Sequence, residues 1–192
     1  MGLMRHLVLA LGLVACASSP GSPPLEPVPE KAESPLPHAL ADLVGKPAPR
    51  FSLPSASDET TITVPSREVT VVTFFGTWSM GWQVALPTLE ELRKKHAGLR
   101  VVAVSMDETK PEAVAVAKQY SPLPVAWAGG MATKTNAEWL SGPYGGENKI
   151  FVLDRKGTIR FAHGGGKEYS VLAKPEGKRS VETEIATLLA EP

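Results

Sequence analysis

From about residue 44 onward, apolar positions follow two rhythms that take turns along the chain. Val69-Thr70-Val71-Val72-Thr73-Phe74-Phe75 is a run of β-branched and aromatic residues with almost no polar relief, the signature of a strand buried on both faces. Leu99–Ser105 repeats that signature. Between them, Leu86, Leu89 and Leu92 recur at helical spacing. Lys94, Lys95 and His96 suit the last turn of that helix, and Gly98 suits its stop, so the pattern predicts a helix over Trp82–His96. Pro111–Tyr120 reads as a helix with proline in its first turn. Leu123–Trp127 reads as a strand, Thr135–Leu140 as a short helix and Val181–Leu189 as a closing helix. Lys149–Leu153 and Thr158–His163 form a hairpin across the Asp154–Gly157 turn, while Arg50–Leu53 and Thr61–Val64 are short extended pieces ahead of the first long strand. Strands alternating with helices, closed by a hairpin and a helix, predict an α/β fold. Its central mixed β-sheet would be flanked by helices on both faces, with an N-terminal β extension.

The first 43 residues follow neither rhythm. Arg5 and His6 precede a short apolar run, Leu7–Val14, that is too brief to span a bilayer as a helix, and residues 1–15 read as a signal peptide. The run ends in Leu13-Val14-Ala15-Cys16, which resembles the bacterial lipobox, where the cysteine is lipidated and becomes the new N-terminus. An ordinary cleavage site with Cys16 incidental is the competing reading. Residues 16–43 hold Cys16 and a Pro/Ser/Glu-rich stretch without apolar periodicity, read as a disordered tether. Extended, its proline-rich part would reach about 60 Å. The domain proper is 44–192. By resemblance to lipoproteins of Gram-negative bacteria, Ala17 favours the outer membrane over the inner, and the lipid on Cys16 would be the membrane contact.

Composition then narrows the chemistry. Lys+Arg and Asp+Glu are 20 each, so no basic stripe points to nucleic acid. Cys16 is the single cysteine, which forbids an intrachain disulfide, a cysteine-based metal cluster and any Cys-x-x-Cys couple. His6, His38, His96 and His163 have no ligand spacing to one another, and no cofactor or metal is expected. A Met80/Met106/His163 copper site is a weak candidate. Asp107 and Glu108 follow the second long strand, where sites gather in α/β folds, yet they read more simply as a solvated loop and helix cap. The glycine clusters at 142–146 and 164–166 and the basic run Lys174–Arg179 read as loops.

Four landmarks, in order, resemble the thioredoxin-like superfamily, in particular membrane-anchored proteins of the TlpA and redoxin (AhpC/TSA) type. Val44-Gly45-Lys46-Pro47-Ala48-Pro49-Arg50-Phe51-Ser52-Leu53 is similar to the entry segment of that group. Phe75-Gly76-Thr77-Trp78 is similar to the lead into its active site. Pro87 matches its helix-kinking proline, and Phe151–Ile159 its hairpin. The resemblance implies thiol–disulfide chemistry carried by Trp-Cys-x-x-Cys, but here that stretch is Trp78-Ser79-Met80-Gly81-Trp82. Ser79 and Trp82 stand where the attacking and resolving cysteines belong. Exchange passes through a mixed disulfide, so a hydroxyl and an indole cannot perform it. A peroxiredoxin role fails in the same way. Where the resemblance implies a cis-proline, alignment on Phe151 places Asn148, with Pro143 the alternative under a shifted alignment.

Ser79 lacks the Gly-x-Ser-x-Gly surround of a hydrolase nucleophile and reads better as a helix N-cap. Trp82 either plugs the vacated groove or joins Trp78 and Met80 in an apolar patch for a partner. The expectation is a lipid-anchored thioredoxin-fold protein of the cell envelope, redox-inactive and acting as a binding or scaffold module with a protein partner. The alternative is a thiol–disulfide oxidoreductase or redoxin-type antioxidant that borrows thiols from a partner.

Overall fold

The computed structural model describes residues 40–130, 133, 135, 139, 149–164 and 170–192. Cys16, the signal and tether segments up to residue 39, Pro143 and Asn148 lie outside these. The short extended pieces form a hairpin, β1 (Phe51–Pro54) with β2 (Thr61–Val64), paired antiparallel from Phe51↔Val64 to Pro54↔Thr61. The main sheet contains β3 (Val69–Phe75), β4 (Leu99–Ser105), β5 (Val125–Trp127), β6 (Ile150–Leu153) and β7 (Ile159–His163), in the order β5-β4-β3-β6-β7. β3, β4 and β5 run parallel, whereas β6 is antiparallel to both β3 and β7. The sheet is therefore mixed, as its strand–helix alternation and terminal hairpin predict. β3 is central and buried at every position, which is why its sequence shows no alternation.

Three helices described along their whole length cover the strands: α1 (Trp82–Lys95), α2 (Lys110–Gln119) and α3 (Pro175–Ala190). Their apolar faces meet one side of the sheet, where Leu86 and Leu89 of α1, Val116 of α2 and Val181 and Ile185 of α3 join Val69, Val71 and Phe75. The β1–β2 hairpin covers the other side with Phe51, Ile62 and Val64. The helical residue Trp139 lies there too, fully buried against Phe51, Phe74 and Phe151 at ring-centroid distances of 5.8, 5.7 and 5.1 Å. The hairpin is tied to the sheet edge by Ala56 N–H donating to the Val125 carbonyl at 2.8 Å. Among the described residues no helix is long and apolar enough to cross a membrane.

Most boundaries fall within one or two residues of the pattern-based ones. The closing helix does not, because it begins at Pro175 rather than Val181. The basic run Lys174–Arg179 is thus its cap and first turns, not a loop. Pro175 supplies the pre-set φ of a first helical position. At Gly177 an added Cβ would lie 2.0 Å from the Val171 carbonyl oxygen, so only glycine lets the helix start this close to the preceding 3-10 turn, Val171–Ala173. Of the predicted Thr135–Leu140 helix, Thr135 and Trp139 are helical and the rest lie outside the described residues.

The hairpin turn is built as its sequence suggests. The Asp154 carboxylate accepts from the Lys156 and Thr158 N–H groups at 2.9 Å each, and Gly157 takes φ +79°. Arg155 reaches from this turn to the carbonyls of Leu188, Leu189 and Glu191, closing the C-terminal end of α3.

Candidate functional site at the head of the first helix

β3 delivers the chain to the carboxyl end of the sheet, and Gly76 follows immediately. A Cβ on Gly76 would lie 2.3 Å from Trp78 Cε2, so the Trp78 indole folds back over bare glycine backbone. A tight turn comes next, with Ser79 N–H donating to the Gly76 carbonyl at 3.0 Å. The helix starts two residues later than a serine cap requires. Gly81 occupies the cap position, its carbonyl accepting from Ala85 N–H at 3.0 Å, and α1 begins at Trp82. The N-cap reading of Ser79 is therefore corrected: the residues after Gly76 are spent on the turn, and Ser79 lies within it.

The two positions of the missing redox pair now have different surroundings. Ser79 is half-buried in the turn. Trp82 packs inward from the first turn of α1, 6.3 Å from Phe75 and 6.2 Å from Tyr120, the latter edge-to-face at 89°. Its indole nitrogen is buried and has no hydrogen-bond partner among the described residues. Such a group costs roughly 1–3 kcal/mol, which the burial of the large ring offsets. Trp78 and Met80 instead face solvent, 52% and 65% exposed, together with Val84 at 40%. Of the three residues grouped as a patch by sequence, two are on the surface, and the third, half-buried, packs against the core. Val84 escaped notice because one valine near a helix start carries no periodic signal.

Asp107 is the residue that sequence reading placed worst. It is neither solvated nor a cap, but 1% exposed. Parallel pairing of β3 and β4 brings Phe75 opposite Ser105, so the segments leaving both strands run side by side. The Asp107 carboxylate there accepts from Thr77 N–H and Thr77 Oγ1, both at 2.8 Å, and from Ser105 Oγ at 2.7 Å. Its backbone carbonyl accepts from the Trp127 indole at 2.9 Å. One buried side chain thus pins the turn that carries Trp78, Ser79 and Met80. The helix cap is Thr109, whose N–H and hydroxyl both donate to Glu112 Oε2, at 3.3 and 3.0 Å.

Removing that acceptor strands buried donors at once. Asp107→Ala is expected to destabilise the domain by about 2 kcal/mol and to raise hydrogen exchange at the Thr77 amide. Thermal melting combined with residue-resolved exchange checks this; unchanged protection of Thr77 would contradict the pinning role.

Other predicted site residues do not converge. Met106 is buried on the hairpin side of the sheet. His163 lies in β7 beside Phe161, which packs on the helical side, and its Nε2 meets Glu184 of α3 at 2.6 Å. The sheet itself separates the two, so a Met80/Met106/His163 site is not assembled. His96 Nε2 lies 3.4 Å from Glu182, which Lys95 also contacts. Lys149, next to Asn148 in sequence, is buried at the entry to β6, and that burial pushes its ammonium below the usual lysine range.

Comparison with known proteins agrees with this architecture. The family described as AhpC/TSA matches residues 44–162. The thiol:disulfide interchange protein DsbE of Allochromatium vinosum is 30% identical over 149 residues, covering 76% of each chain. Among solved structures, a secreted thiol-disulfide isomerase from Corynebacterium glutamicum superposes with a TM-score of 0.61 at 16% identity, covering 75% of this chain and 86% of that one. A thioredoxin-family thiol:disulfide interchange protein from Chlorobium tepidum gives 0.55 at 22%, covering 75% and 96%. The chain belongs to the AhpC/TSA family of thioredoxin-like proteins.

Proposed function

We propose that this chain is a redox-inactive member of its family, lipid-anchored through Cys16 in the bacterial cell envelope and facing the periplasm, where it binds a protein partner. The outer membrane is the favoured site, by the Ala17 argument. The observation that carries the reading is Trp82. Where the family's second redox cysteine would stand, an indole is locked against Phe75 and Tyr120. A serine at the first position adds no thiolate, and the chain holds no cysteine beyond Cys16 to supply one. Fold alone does not preserve activity. What the site still offers is a pinned turn presenting Trp78 and Met80 to solvent, with Val84 on the following helix. Exposed aromatic and thioether groups of this kind anchor protein contacts.

Crosslinking in intact cells, followed by purification from membranes, tests both halves. The wild-type chain should fractionate with membranes and bring down a specific envelope protein. Cys16→Ser should shift it to the soluble fraction, and Trp78→Ala/Met80→Ala should reduce capture of the same protein at least about tenfold. Equal capture by the double variant would refute the docking face, and membrane retention of Cys16→Ser would refute the anchor.

A further inference from the structure

We propose that Met80 is a modification site, oxidised by peroxide to the sulfoxide in the place where relatives of this chain use thiols. Two structural facts and one chemical one carry it. Met80 is 65% exposed in the turn ahead of Gly81, so its thioether is open to small oxidants. Met106, 1% exposed in the core, provides a shielded sulfur in the same molecule. The domain contains no cysteine, so no thiolate competes for the oxidant. A thioether is then the most readily oxidised sulfur the domain presents.

The reaction balances with a peroxide as the only co-reactant. A lone pair on Met80 Sδ attacks one oxygen of hydrogen peroxide, forming the S–O bond as the O–O bond breaks. The departing hydroxide takes the remaining proton and leaves as water. Sulfur is oxidised by two electrons and the peroxide is reduced by two. The step is stoichiometric and needs no neighbouring base. The product replaces a flexible apolar side chain with a polar one two residues after Trp78. The consequence, weaker capture of a partner at this face, rests on the docking role proposed above; the modification itself does not.

The test treats the full-length purified chain, with Cys16→Ser so that no thiol competes, with excess hydrogen peroxide and follows each methionine by peptide mass spectrometry. Sulfoxide should form at Met80 at least about tenfold faster than at Met106, and the melting temperature should stay unchanged because the oxidised group is on the surface. Met80→Leu should abolish that fast phase. Comparable rates at Met80 and Met106, or earlier oxidation of Met106, would overturn the proposal. Selective oxidation of Met80 with partner capture unchanged would uphold the modification site and count against the docking role alone.

Discussion

Replacing Trp139 by alanine is expected to lower the unfolding free energy by about 3–5 kcal/mol. Trp139 is completely buried and forms the hub of three aromatic contacts, with Phe51 from the N-terminal hairpin and with Phe74 and Phe151 from adjacent strands. Its loss opens a cavity bounded by a sheet that cannot collapse into it, so the cost includes lost dispersion as well as lost transfer energy. That penalty is a large share of the stability of an ordinary domain. Urea denaturation checks it: the midpoint should fall sharply with the slope preserved. Trp139→Phe should recover much of the loss, since the ring pairs persist. A change below about 1 kcal/mol for the alanine variant would show that this side of the sheet is not packed as described.

Trp82→Ala is expected to cost about 2–4 kcal/mol. The penalty is smaller than at Trp139 because Trp82 is only half-buried, whereas Trp139 is completely enclosed; in both, truncation also removes a buried indole N–H that lacks a partner among the described residues. The sign of this experiment separates two roles. A core plug loses stability when truncated, whereas a docking residue loses binding and leaves the melting curve alone. Trp78→Ala is the comparison, since its indole is largely exposed and lies over Gly76 rather than in the core. Denaturation of both variants, in parallel, should show a marked loss for Trp82 and little for Trp78. Equal melting of the two would contradict the inward placement of Trp82.

The long elements were legible because their burial is extreme. β3 and β4 sit inside the sheet, and a strand buried on both faces writes itself as a continuous β-branched run. The hairpin turn was legible because Asp154 and Gly157 do local work that needs no tertiary context. Other features depend on register and orientation, which a linear pattern does not carry. Asp107 is buried only because Ser105 ends opposite Phe75 and brings Thr77 within reach. Trp82 points inward because the helix enters at Gly81, and a serine-capped entry would have turned its first residues differently. Trp139 gave no signal beyond a short helical stretch, since its partners come from three separate strands. The start of α3 was hidden by a glycine that normally marks a loop but here permits a close backbone approach.

The central claim is that this family member has lost thiol chemistry while keeping the fold that served it. Insulin disulfide reduction in the presence of dithiothreitol tests it most directly, comparing the wild-type chain with Ser79→Cys/Trp82→Cys. The double variant restores a Cys-x-x-Cys pair at the head of α1 and, despite the stability lost with Trp82, should accelerate insulin precipitation well above the dithiothreitol background once assayed below its melting point. The wild-type chain should match that background at every concentration. Turnover by the wild-type chain that scales with its concentration would contradict the claim.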